Sequence, residues 1–205
     1  MKTVLLALSL LASAAFSVDV SEVLEIGSKA PLADQKMMDV SGNELSLDDI
    51  KKENGLLVVF SCNTCPFVVG GKGEGWEGRY NDIYDICQKQ EIGMVLVNSN
   101  EAKRDGDDSL EEMKAHAKEE GYKSYYVVDE KSALADAFGA RTTPHIYMFN
   151  NKMELAYKGA IDDNVDSSVK VKEPWLNNAI SNLAEGKKID PNSTKNLGCS
   201  IKRVK

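Results

Sequence analysis

One stretch constrains this chain more than any other: Leu56-Leu57-Val58-Val59-Phe60-Ser61-Cys62-Asn63-Thr64-Cys65-Pro66. A short, continuous apolar run with β-branched members reads as a buried central strand. Here it delivers two cysteines, three residues apart, straight onto a proline. Proline is tolerated at the first position of a helix, where its missing N–H costs nothing. The order is therefore strand, turn, helix, with Cys65 at the N-cap and Cys62 in the turn before it. Cysteines held this way can close a disulfide without large backbone movement. So small a ring removes little chain entropy, so stapling explains the pair poorly and reversible redox chemistry explains it better. A sulfur at a helix mouth lies near unpaired N–H groups and the positive end of the dipole, a setting that favours thiolate, the nucleophilic form.

Three other uses of the pair compete with redox chemistry. A zinc site needs two more ligands at metal spacing, and Cys87, Cys199, His116 and His145 are scattered singly along the chain. An inert structural disulfide suits an exported protein. A copper-handling site could recruit His145 as a third ligand, but the cysteine spacing lends that no support. Disulfide chemistry is favoured, with no metal or organic cofactor implied.

Export is expected from the first residues. Lys2 precedes the apolar run Val4 to Ala12 and the small residues Ser13, Ala14 and Ala15, the pattern of a secretory signal peptide over residues 1–17. Cleavage after Ser17 fits the small-x-small rule, with Ala14 as the alternative. The apolar run is too short to span a bilayer comfortably. A secreted or periplasmic setting would let disulfides persist. Residues 18–205 then form one domain, since a chain of 205 residues that is 42% hydrophobic suits a single core. The net charge of -7 repels nucleic acid and anionic lipid. Expected partners are protein or small-molecule thiols and disulfides, with a reductase or oxidase, and no membrane once the signal is removed.

Beyond the first strand, Met94–Val97, Ile146–Phe149 and Glu154–Lys158 read as further strands. Trp76, Tyr80, Ile83, Tyr84 and Cys87 recur at helical steps and share a face. Ser109 with Glu112 marks a capping box ahead of Leu110, Met113 and Ala117. Helices are also expected from Lys131 to Phe138 and from Trp175 to Leu183. Strands alternating with helices imply an α/β sheet covered on both faces. Gly70, Gly71, Gly73 and Gly75 fall where the helix after Cys65 should continue and predict a broken first helix, with a loosened site as one consequence. The tail from Lys187 onward reads as polar and irregular.

Four pieces in order resemble the peroxiredoxin-like family of thioredoxin-fold proteins, within the AhpC/TSA and redoxin group. They are the strand with Cys62-Asn63-Thr64-Cys65-Pro66, the pair Thr143-Pro144, the run Gly159 to Asn164, and the ending Gly198-Cys199-Ser200-Ile201-Lys202. The resemblance runs from about Gly27 to Lys202 and implies a thioredoxin-like fold with a central mixed sheet and helices on both faces. It places Cys65, five residues after Phe60, at the peroxide-attacking cysteine, and Cys62 where a peroxiredoxin carries Thr or Ser. Pro144 falls at the place of the active-site Arg. Two of the groups that polarise a peroxide bond are thus replaced, which disfavours peroxide reduction. The resemblance further implies that Thr143-Pro144 is cis and lies against the disulfide, with Thr143 offering its backbone to substrate. The expected activity is thiol–disulfide exchange, with Cys65 attacking and Cys62 completing the bond. A thiol peroxidase and a non-enzymatic module with an inert disulfide are the alternatives.

The remaining candidates have plainer readings. Cys87 is expected to be an inert core thiol, and His116, between Lys114 and Lys118, to be solvated. His145 could touch the site or merely line a strand. Cys199 stays open between an accessory thiol, a partner for Cys87 and a free cysteine. Asn192-Ser193-Thr194 is a glycosylation sequon, relevant only in a eukaryotic host.

Overall fold

A computed structural model describes residues 22–204; the expected signal peptide, residues 1–17, lies outside them. A short hairpin of β1 (Met37–Met38) and β2 (Glu44–Leu45) leads through α1 (Leu47–Ile50) into β3 (Gly55–Ser61). The Cys-Pro junction opens α2 (Pro66–Val69). There follow α3 (Tyr80–Lys89), β4 (Ile92–Asn98), α4 (Leu110–Glu119), β5 (Tyr125–Val128) and α5 (Ala133–Phe138). The chain closes through β6 (Thr142–Thr143), β7 (His145–Phe149), β8 (Leu155–Gly159), α6 (Trp175–Ala184) and β9 (Cys199–Ser200).

The main sheet has the order β5-β4-β3-β7-β8. Strands β3, β4 and β5 run parallel, β7 pairs antiparallel with β3, and β8 pairs antiparallel with β7. Central β3 is buried along its whole length, as its unbroken apolar run requires. Side chains alternate across a strand, so Leu57 and Val59 enter one core while Leu56, Val58 and Phe60 enter the other. The first core packs against Ile83 and Cys87 of α3 and Leu176 and Ile180 of α6, and it also holds Cys62 and Cys65. The second is aromatic: Phe138 of α5 meets Phe60, Tyr147 and Phe149 edge to face, with centroids 5.4, 5.2 and 5.5 Å apart. The expected mixed sheet, covered on both faces, is what forms.

Three local features differ from the sequence expectation. Helix α5 begins at Ala133 rather than Lys131, because Lys131 and Ser132 adopt left-handed φ of 56° each and the Asp129 carboxylate caps Leu134 and Ala135 instead. Helix α1, which was not anticipated, is started by a full capping box between Ser46 and Asp49. Strand β5, also not anticipated, is a four-residue sheet edge. As expected, α2 is cut short, ending at Val69 with Gly70 at φ 80°, a conformation that suits glycine.

Phe138→Ala should cost about 3–5 kcal/mol, since it empties the meeting point of three rings. Chemical denaturation should show the loss as a lower midpoint at unchanged slope; a change under about 1 kcal/mol would mean that this aromatic core is not what fixes the sheet.

Candidate active site

The end of β3 delivers Cys62 and Cys65 to one residue of the neighbouring β6. Cys62 Sγ lies 3.2 Å from the Thr143 hydroxyl, and Cys65 Sγ lies 3.0 Å from the Thr143 carbonyl oxygen, to which it donates only in its protonated form. The Thr143-Pro144 peptide is cis. A third partner comes from the tail: the Cys199 N–H donates to Cys65 Sγ at 3.4 Å. The structure thus gathers Cys62, Cys65, Thr143, Pro144 and Cys199 in one place; Cys87 lies in the same core without a hydrogen bond given to either sulfur, and His145 bonds to Tyr147 Oη.

Water hardly reaches this cluster. Cys62 is 2% exposed, Cys65 3% and Thr143 1%. Burial alone would push both thiols up, yet the pair splits. Cys65 is lowered to about 5, chiefly because the Cys62 thiol hydrogen-bonds to its anion; burial opposes this, and the Cys199 thiol and N–H assist. Cys62 is driven far above the ordinary thiol range, first by Cys65 and then by burial. One shared proton thus makes Cys65 the thiolate and Cys62 the thiol.

The helix dipole has a smaller part than the sequence suggested. Cys65 is the N-cap and Pro66 the first helical residue, as expected, but α2 has only four residues and the Cys65 side chain closes no cap hydrogen bond of ordinary geometry. The Phe67 N–H lowers Cys65 less than the Cys62 thiol or the Cys199 thiol and N–H do. Few aligned peptides make a weak macrodipole. The anion is therefore held by a neighbouring thiol and by the tail.

A polar network that the sequence did not reveal positions the turn between the cysteines. Asp108, fully buried, accepts from the Asn63 N–H at 2.9 Å, Asn98 Nδ2 at 2.7 Å and Asn100 Nδ2 at 3.0 Å. Tyr126 Oη donates to Asn63 Oδ1 at 2.8 Å and accepts from Asn98. The charge of Asp108 also helps raise Cys62. In sequence, Asp108 ends the acidic stretch Asp105-Gly106-Asp107-Asp108 and looks solvated; no signal distinguishes it. His116 is a correction. It is not solvated but bonds to buried Glu77 at 2.7 Å, which also accepts from Tyr122 Oη at 2.7 Å, and Glu77 raises the His116 pKa. Its spacing of three from Met113, on the apolar stripe, was the available signal.

The glycine-rich stretch is fastened. Glu74 N–H donates to the Asp166 carbonyl at 3.1 Å, and a side chain at Gly73 would run into Asp166. Asp162 pairs with Arg79 and accepts from Trp76 Nε1 at 3.0 Å. The run Gly159 to Asn164 thereby braces the segment after α2. Cys87 is fully buried and pushed up to about 12 by burial. His145 packs against Tyr147 at a tilt of 47° with centroids 4.6 Å apart, and burial lowers it to about 4. Among the described residues, no three His, Cys, Asp or Glu side chains converge as a metal-ligand set.

Known proteins add the following. The AhpC/TSA family matches residues 26–158. An uncharacterized conserved protein from Geobacillus kaustophilus is 30% identical, covering 88% of this chain and 93% of its own, with a TM-score of 0.79. A hypothetical protein from Sinorhizobium meliloti is 29% identical over 89% and 97% of the two chains, again at 0.79. The thioredoxin domain of a thiol-disulfide oxidoreductase from Bacteroides vulgatus shares the fold at 20% identity, covering 67% of this chain and 89% of its own, with a TM-score of 0.52. No curated protein matches the chain.

The thiolate absorbance of the reduced protein should titrate near pH 5, and Cys62→Ala should move that titration up toward the ordinary thiol range of about 8.5. Because the folded pKa of Cys65 is depressed, its contribution to stability is complete above the unfolded thiol value and is lost as pH falls through about 5. Urea unfolding of the reduced protein at pH 5 and pH 8 should therefore show the higher midpoint at pH 8, with a smaller gap in Cys62→Ala. A titration that stays near 5 in that variant would show that Cys62 is not the main donor.

Proposed function

The chain belongs to the AhpC/TSA family, and we propose that it is a thiol–disulfide oxidoreductase working through Cys62 and Cys65 in an extracytoplasmic compartment. The reading is carried by one observation: two buried sulfurs, three residues apart, both lie against Thr143. The lowering of Cys65 and raising of Cys62 agree with it, the first suiting a nucleophile and the second a resolving thiol. The compartment rests on the signal-like residues 1–17.

In the exchange, the Cys65 thiolate attacks a sulfur of a substrate disulfide, forming a mixed disulfide and releasing the other substrate sulfur as thiolate. Cys65 then carries no charge, so the main cause that held Cys62 protonated is gone. Cys62 loses its proton to the released thiolate and attacks Cys65, closing the Cys62–Cys65 bond and expelling the second substrate sulfur as thiolate. Run backward, the same steps oxidise a dithiol. The low pKa of Cys65 makes it a good leaving group in that direction. Thr143 positions both sulfurs.

Peroxide reduction finds less support. The donors that reach the Cys65 thiolate are an N–H and neighbouring thiols, and the Thr143 carbonyl beside it can only accept. None is a guanidinium, so charge developing on a breaking O–O bond lacks that stabiliser.

Cys65→Ser should lower reduction of a small-molecule disulfide by on the order of 10³-fold, while the double variant Cys62→Ser, Cys199→Ser, which leaves no neighbouring thiol to resolve it, should accumulate the mixed disulfide on Cys65, visible by intact mass. A Cys62–Cys65 bond that withstands mild dithiol, or exchange that survives Cys65→Ser, would refute the proposal. Peroxide consumption that depends on Cys65 and outpaces disulfide exchange would assign the site to peroxide instead.

A further inference from the structure

The polar tail does not trail away from the domain. Strand β9 pairs antiparallel with β6, setting Cys199 opposite Thr143 and Ser200 opposite Thr142. On the near side, Asn196 Nδ2 donates to the Pro144 carbonyl at 2.9 Å and to the Thr142 hydroxyl. On the far side, the Ile201 N–H bonds to the Arg141 carbonyl at 3.0 Å, and Ile201 is buried in the aromatic core. Lys202 N–H reaches Asn100 Oδ1 at 2.8 Å, and Arg203 Nε reaches Asp136 at 2.6 Å. Gly198 lies so close that a side chain there would stand 2.4 Å from the Thr143 carbonyl. The tail is thus bound as an extended peptide along the edge that carries the cis-proline.

We propose that residues 198–201 are an in-chain substrate strand and that Cys199 is a third redox cysteine, which takes the disulfide from Cys65 and presents it to low-molecular-weight thiols. This deepens the proposed exchange function and rests on it. Cys62 and Cys65 are sealed, whereas Cys199 is partly exposed and bonded through its own N–H to the Cys65 sulfur. The order of exposure runs outward from Cys62 and Cys65 to Cys199. The step is an internal exchange: starting from the Cys62–Cys65 bond, Cys199 loses its proton and attacks Cys65. The Cys65–Cys199 bond forms, and Cys62 leaves with the electron pair and takes up the proton, so no outside oxidant is consumed. An external thiol then attacks Cys199, and Cys65 departs as the favoured leaving thiolate. A second equivalent of that thiol attacks its own sulfur in the mixed disulfide, freeing Cys199 and releasing the external disulfide. While the tail stays paired, an extended protein segment finds the Thr142–Thr143 edge occupied, so the entrant must be small.

Glutathione disulfide is a suitable probe, with disulfides mapped by mass after digestion without reductant. In Cys62→Ser, the expected product is a Cys65–Cys199 link. Cys199→Ser should still form Cys62–Cys65 but turn over glutathione about tenfold more slowly. Gly198→Val, which lifts the tail, should lose the Cys65–Cys199 link and alkylate Cys65 faster. A Cys62→Ser protein that carries only a Cys65–glutathione adduct would overturn the proposal, as would Gly198→Val that alkylates no faster than the parent. A parent protein that forms neither internal bond would refute the exchange function itself, and this proposal with it.

Discussion

A thiolate shut away from water has to be solvated by the protein, and the Cys65 sulfur makes that demand on everything around it. Its 3% exposure leaves no room for a hydration shell. The donors that replace water come from two separate parts of the chain: the Cys62 thiol in the preceding turn, and the N–H of Cys199 more than a hundred residues later. Thr143 lies against both sulfurs. Both cysteines follow the central strand, which is buried along its whole length and ends at Ser61.

The rest of the molecule keeps that arrangement in register. On one side the turn is held by Asp108, Asn98 and Tyr126, an enclosed network in which each buried polar group has a partner. On the other, the Asp162 pairing with Arg79 and Trp76 braces the chain beyond the truncated α2. The aromatic cluster around Phe138 lies across the sheet from the sulfurs. It supplies stability without touching them, so fold and chemistry occupy opposite faces of β3.

Much of the fold could be read from residues alone, for a physical reason. Buried strands such as Leu56–Phe60 and Met94–Val97 carry their environment in their composition, and a C-x-x-C-P after a strand admits few local structures. What escaped the sequence rests on interactions without a periodic signature. Strand β5 is four residues at a sheet edge with Tyr125 exposed, too short to show a period. Asp108 is buried by its partners, not by its neighbours in sequence. The tail docks through backbone hydrogen bonds and the bare Gly198, so a polar composition concealed an ordered strand. Even the thiolate, expected from the helix start, owes its charge mainly to the other cysteine.

Burial and acidity together decide what kind of reactivity the site can have. An exposed thiol of ordinary pKa is limited by ionisation, since only a few per cent is thiolate at pH 7. Cys65 is already ionised well below neutrality, so a further drop in its pKa would add almost no thiolate and would weaken it as a nucleophile. Access then becomes the limiting quantity. The groups that govern access are the backbone contacts of Gly198 and Cys199 on Thr143, the same contacts that help hold the charge. Lifting the tail would uncover the sulfur and remove one of its donors together, so in this site reactivity and protection are set by one short strand.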